Sequence, residues 1–98
     1  KLSVQGNTVS SASLGGILSE GYNYFDDIAA AAACGLPLSP SVGDVVHFKA
    51  GALNSGAKIT VSASGDHRID DAQTSVVMES GYGAFTFFYA KADQWLII

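Results

Sequence analysis

The densest set of groups able to do chemistry in this 98-residue chain is Gly65-Asp66-His67-Arg68-Ile69-Asp70-Asp71. Three carboxylates and a histidine lie within six residues, and a hard cation such as calcium takes several oxygen ligands. The spacing matches no EF-hand loop. The segment reads instead as a solvated turn in which Asp caps backbone groups. His47 lies in an apolar run with Asp44 three residues before it, and serines are plentiful. A Ser/His/Asp set can therefore be nominated on paper, but no nucleophile-elbow motif supports it. The single cysteine, Cys34, follows an alanine run and reads as a small packed residue rather than a nucleophile. There is no phosphate loop, no Cys/His zinc spacing and no dinucleotide fingerprint. Tyr22, Tyr24 and Tyr82 could stack sugars; strand and turn packing is the plainer role for them. The sequence assigns no catalytic, metal-ligating or cofactor-binding residue, and the chain is expected not to be an enzyme.

These residues sit on a pattern of short strands. Ala57, Ile59, Val61 and Ala63 alternate with Lys58, Thr60 and Ser62, the period of a strand buried on one side. Strands are also expected at Gly21–Phe25, Val45–Ala50, Ser75–Glu79, Ala84–Ala90 and from Gln94 to the end, with a brief one at Arg68-Ile69. Turns fall at Gly51–Gly56, Ser64–Asp66, Ser80–Gly83 and Lys91–Asp93. Leu36–Asp44 is a connector with two prolines, each biasing its predecessor toward extended backbone. Strands spaced about ten residues apart suggest a sandwich or barrel.

The region from Asp26 to Gly35 carries a different signal. Alanine is the best helix former, and Asp suits a helix N-terminus. A short helix over Asp27–Ala33, ended by Gly35, is the expectation; an extended run of small residues against a close-packed neighbour is the competing one. Residues 1–18 are rich in Ser and Gly. They read as a short strand near Leu2–Val4, a turn at Gln5-Gly6-Asn7 and loose β structure. Such a segment is either an edge strand with loops or an arm that packs on a neighbouring subunit through Leu2 and Val4.

Phe85, Phe87 and Tyr89 share one face of their strand, which makes it the expected centre of the core. Phe85, Phe87, Trp95, Ile59 and Val61 are expected to be buried together. In Gln94-Trp95-Leu96-Ile97-Ile98 both faces are apolar, so burial is expected on both sides. Leu96 and Ile98 are then candidates for contact with another subunit. A terminus this apolar is expected to be tied into a sheet or a partner.

Composition narrows the class. One domain spanning residues 1–98 is expected. Charged residues make up 14% of the chain, against about 25% in typical domains, which hints at surface covered by neighbours. The net charge of −4 argues against nucleic acid, whose phosphates call for a basic footprint, and against an anionic membrane surface. One cysteine allows no internal disulfide. No apolar run is long enough for a spanning helix. The opening residues do not read as a signal peptide. Lys1 in place of Met fits a chain trimmed, processed or excised from something longer.

The run from Gly35 to Ile69 resembles modules of tailed-phage virion proteins. These show an "LP…vGd…f" step, an "ItV" strand, a "GD.I" turn, an aromatic strand and a final Trp-containing strand. Leu36-Pro37, Val42-Gly43-Asp44, Ile59-Thr60-Val61, Gly65-Asp66 and Trp95-Leu96-Ile97 fill those positions. The resemblance spans about Gly21 to Ile98 and rests on turn and strand residues. It implies a small antiparallel β-sandwich or β-barrel, all-β with at most one short helix. It also implies a structural role on the outer surface of a capsid or tail. The expected partners are capsid subunits or other virion proteins, and the expected state is a homo-oligomer, a trimer. A capsid decoration (cement) protein is the first reading. A receptor-binding or fibre-tip domain recognising a host-surface glycan is the alternative.

Overall fold

A computed structural model describes the backbone of residues 6–9 and all of residues 16–98. Nine strands are described: β1 (Gly6–Val9), β2 (Gly21–Phe25), β3 (Ala32–Gly35), β4 (Val45–Ala50), β5 (Ile59–Ser62), β6 (Arg68–Ile69), β7 (Ser75–Met78), β8 (Ala84–Lys91) and β9 (Gln94–Ile97). They form two sheets, of six strands in the order β1-β2-β4-β8-β9-β6 and of three in the order β3-β5-β7. The chain is all-β, as its alternation implied. The single helical turn described is a 3₁₀ piece at Asn54–Gly56, with Ser55 in the left-handed region at φ 56°.

From β2 to β8 the chain steps from one sheet to the other at every strand. Two next-but-one pairs become parallel neighbours in this way: β2 with β4, and β3 with β5. β1 with β2 and β6 with β9 are parallel too. Antiparallel pairing joins β4 to β8, β5 to β7 and β8 to β9. The sheets are thus mixed rather than purely antiparallel. A parallel neighbour needs a long return path, and the opposite sheet supplies it here in place of a helix.

The two inner faces make one core. Phe25, Leu36, Val46, Ile59, Val61, Ile69, Phe87 and Trp95 have no exposed surface. Of the five residues expected in the core, Phe87, Trp95, Ile59 and Val61 are fully buried, and Phe85 packs against them half-buried. Each residue obeys the two-residue period of its strand.

The expected helix over Asp27–Ala33 is absent. Ile28 bridges Leu53 instead, and Ala32 starts β3. A seven-residue helix is marginal even for alanine. The strand buries Ala32, Cys34 and Leu36 on one face and completes a ladder against β5. Gly35 ends no helix. It pairs with Ile17, and a Cβ there would stand 3.2 Å from the Ile17 side chain. Gly6 and Asn7, expected in a turn, open β1. The expected strand at Leu2–Val4 lies outside the described residues.

One buried polar side chain was not anticipated. Asn23 is 2% exposed and faces the core. Its Nδ2 donates to the carbonyls of Ser19, Gly21 and His47 at 2.9, 3.2 and 3.0 Å, and its Oδ1 accepts from the Ser19 amide at 3.0 Å. These bonds tie the segment before β2 to β4 and satisfy an amide that would be costly to bury alone.

Candidate interaction surface

Alternation that sends Phe25, Phe48, Phe87 and Trp95 inward sends another set of apolar side chains outward. On the outer face of the six-stranded sheet, register aligns Tyr22, His47 and Thr86 in one row. The Ile98 amide extends that row by donating to the Thr86 carbonyl at 2.9 Å. Val45, Phe88 and Leu96 form the next row. Tyr24, Lys49 and Ala84 form a third. Tyr22 stacks on the His47 ring at 4.3 Å and 13°, and the other side of His47 reaches the Thr86 hydroxyl through Nδ1 at 3.2 Å. Val45, Phe88 and Leu96 are half-buried, while Tyr22 and Ile98 are exposed, Ile98 at 71%.

The ionic side chains on this face are few. From β2 to β6 its outward strand positions carry Lys49, Lys91 and Arg68 and no carboxylate side chain, although the chain is net negative. Two of these cations reach backbone carbonyls: the Lys49 amine donates to Tyr82, and Arg68 Nη1 to His67 at 2.8 Å. At the Tyr24 end, Asp27 Oδ1 accepts from the Ala52 amide at 2.8 Å. Partial burial, with the Asp27 and Asp26 carboxylates next in effect, holds the Tyr24 hydroxyl above the usual tyrosine range. Tyr82 is exposed. The three tyrosines are thus exposed side chains, Tyr22 also packing across the strands on His47.

The acidic segment does structural work. Asp70 and Asp71 sit in the left-handed region at φ 50° and 78°. The Asp70 amide donates to the Trp95 carbonyl at 2.8 Å, and its Oδ1 accepts from the Ile97 amide at 3.0 Å. The Asp71 amide donates to Gln94 Oε1 at 3.0 Å. The turn therefore clamps the last strand, through one carboxylate-to-backbone bond from Asp70 and through backbone amides of Asp70 and Asp71. His67 Nε2 lies 3.5 Å from Asp93, and its ring packs 5.5 Å from Tyr89. Among the described residues no three His, Cys, Asp or Glu side chains converge to hold a metal ion.

His47 and Asp44 are not brought together for catalysis. Asp44 Oδ2 accepts from the Ser41 amide at 2.8 Å, while His47 engages Tyr22 and Thr86. Cys34 is buried, and that burial pushes its thiol up to about 12, the wrong direction for a nucleophile. Of the interface candidates, Leu96 and Ile98 both fall on the outer face just described. Leu2 and Val4 lie outside the described residues. The rest of the face, above all Tyr22, Val45 and Phe88, was legible in principle from the polar-face positions of β2, β4 and β8.

Among the described residues no helix is long and apolar enough to cross a membrane. No protein-family model matches the chain, and no curated protein matches it in sequence.

Proposed function

We propose that this chain is a non-enzymatic structural protein of a virus particle, a decoration protein that cements a capsid by binding between shell subunits. The observation that carries the reading is the outer face of the six-stranded sheet. It presents Tyr22, Val45, Phe88, Leu96 and Ile98 in adjoining rows without an acidic side chain. Contiguous exposed apolar surface on a small domain marks a contact surface, and aromatic residues with few charges characterise the centre of an interface. The resemblance to phage virion modules supplies the setting, the outside of the particle, and the trimeric state. Many modest contacts across the joints of a repeating shell add through multivalency. The test is the stoichiometry of the chain on the particle with which it purifies. Copy numbers comparable to the shell subunit support the cement role, and a Phe88→Glu variant should no longer co-purify. A handful of copies per particle would place the chain on a tail or fibre.

That second location has one observation of its own. Tyr22 stacked on His47, with Tyr24 on the same face two residues along and Tyr82 exposed, is an aromatic platform of the type that stacks on sugar rings. A fibre-tip domain recognising a host-surface glycan would use it, and a glycan array separates the two readings.

A further inference from the structure

We propose that the free edge of the three-stranded sheet is a second contact surface, and that its occupant is the same edge of another copy, paired antiparallel about a two-fold axis through Val76. The phase of the ladder shows which groups are free. The Ala63 amide donates to the Thr74 carbonyl at 2.9 Å, so Ala63 and Thr74 are a hydrogen-bonded pair. With Val61 opposite Val76 and Ile59 opposite Met78, Val76 and Met78 also turn their backbone groups to β5. Those of Ser75 and Val77 then point away from the sheet. The opposite side agrees: the Ala32 and Leu36 amides donate to Lys58 and Ser62, so β5 spends its other groups on β3.

The edges at β3 and β6 are partly closed. The outward groups of Gly35 on β3 are satisfied, its amide by Gly16 at 2.9 Å and its carbonyl by Leu18 at 2.8 Å. β6 is two residues long, and Ile69 turns straight back on Gln73. β7 has four residues and none of the usual protection of an edge, which is lysine, proline or a bulge. From Ala72 to Met78 there is no charge at all. Val77 is 43% exposed, and Val76 is half-buried at the rim of the core.

The edge is complementary to itself. Centred on Val76, antiparallel pairing sets Ser75 of one copy opposite Val77 of the other, twice, which makes four backbone hydrogen bonds. Val76 meets Val76 on the inner face and extends both cores. Gln73 falls opposite Glu79, so no like charges meet. This is the isologous geometry of a two-fold contact, and it joins two three-stranded sheets into one of six. The junction is small by the standard of stable complexes. It is therefore weak in solution and acts where copies are held close, as a link between neighbouring copies.

The experiment is sedimentation of the whole chain from micromolar to millimolar concentration, read beside amide hydrogen exchange. Expected is association that grows with concentration, with exchange at Ser75 and Val77 slowing by roughly tenfold as it does. Val77→Pro removes an outward amide, and Val77→Lys places a charge on the edge. Either variant should abolish both effects while the melting temperature at low concentration stays close to that of the parent. A chain that stays monomeric at millimolar concentration overturns the proposal. So does association in which Ser75 and Val77 exchange as fast as in the monomer, or that survives both variants. The cement reading is tested separately, by Phe88→Glu on the other sheet: particle binding that survives this variant overturns that reading and leaves the β7 junction untouched.

Discussion

Replacing Phe87 by alanine tests the core most directly. Phe87 is fully buried on β8, with Val46 on one side and Ile97 on the other. Its ring centroid lies 5.6 Å from that of Phe85. β8 is hydrogen-bonded to a strand on each side, so the neighbours are held by two ladders and cannot easily collapse into the space. A Phe-to-Ala change in such a site costs about 3–5 kcal/mol. Whole domains have about 5–15 kcal/mol to lose, and a chain of this length sits toward the lower end. Each kcal/mol moves the midpoint of a domain this size by about 4–8 °C. The variant should therefore melt at least roughly 12 °C below the parent, or be unfolded at room temperature. Trp95, the single tryptophan, is buried and reports the transition through its fluorescence. Thr86→Ala, one residue away on the outer face, is the control and should move the midpoint by little. If Phe87→Ala melts within a few degrees of the parent, the packing argument for β8 is wrong.

Other expectations follow from the same structure. Gly51→Ala should destabilise the chain, because a Cβ there would meet Asp27 Oδ1 at 2.5 Å and the Tyr24 hydroxyl at 2.8 Å; a midpoint equal to the parent's would contradict this. Asn23→Ala leaves buried carbonyls without their donor and should cost about 1–3 kcal/mol, read by urea denaturation. Cys34 should be inert to thiol reagents at pH 8 in the folded chain and reactive after unfolding. Its thiol is raised from 9.0 to about 12, so the folded state favours the protonated form. The stability this contributes is complete below pH 9, and falls as pH rises through the interval up to about 12. A chelator should leave the melting temperature unchanged, since Asp70 and Asp71 engage the Ile97 amide and the Gln94 side chain with their carboxylates; a marked fall would reveal a bound ion.

The sequence carried most of the strand positions because alternation is a direct record of burial. Val45–Ala50 and Arg68–Ile69 coincide with β4 and β6, and the aromatic strand and the final strand are displaced by at most a residue. Two things were not legible. Strand order is one: nothing local tells β3 and β5 that they pair in parallel, since each is four residues long and the link between them runs through the other sheet. The outer surface is the other. His47 reads as an isolated polar residue in a strand until register puts Tyr22 on one side of it and Thr86 on the other.

The alanine run shows why local preference misleads here. Ala29–Ala33 has the strongest helix propensity in the chain, yet Ala29 and Ala30 lie in a bend and Ala32 begins a strand. Propensity differences between alanine and a typical strand residue are about 0.7 kcal/mol per residue at most, and a helix this short must also bear the cost of nucleation. On the other side stand the pairing of Ala32–Gly35 along β5 and the burial of Ala32, Cys34 and Leu36. Small side chains are what this place requires. Gly35 lies close against Ile17, and Ala32 and Cys34 are buried in the core. The low volume that looks like helix preference in isolation is a packing requirement in context. Lengthening one of these side chains separates the two explanations. Ala32→Leu would preserve helix propensity but overfill the core, and overpacking costs about 1–3 kcal/mol. Ala30→Leu, at an exposed position, should be nearly neutral. Equal effects at the two sites would mean that the alternation of burial through this segment is not what holds it extended.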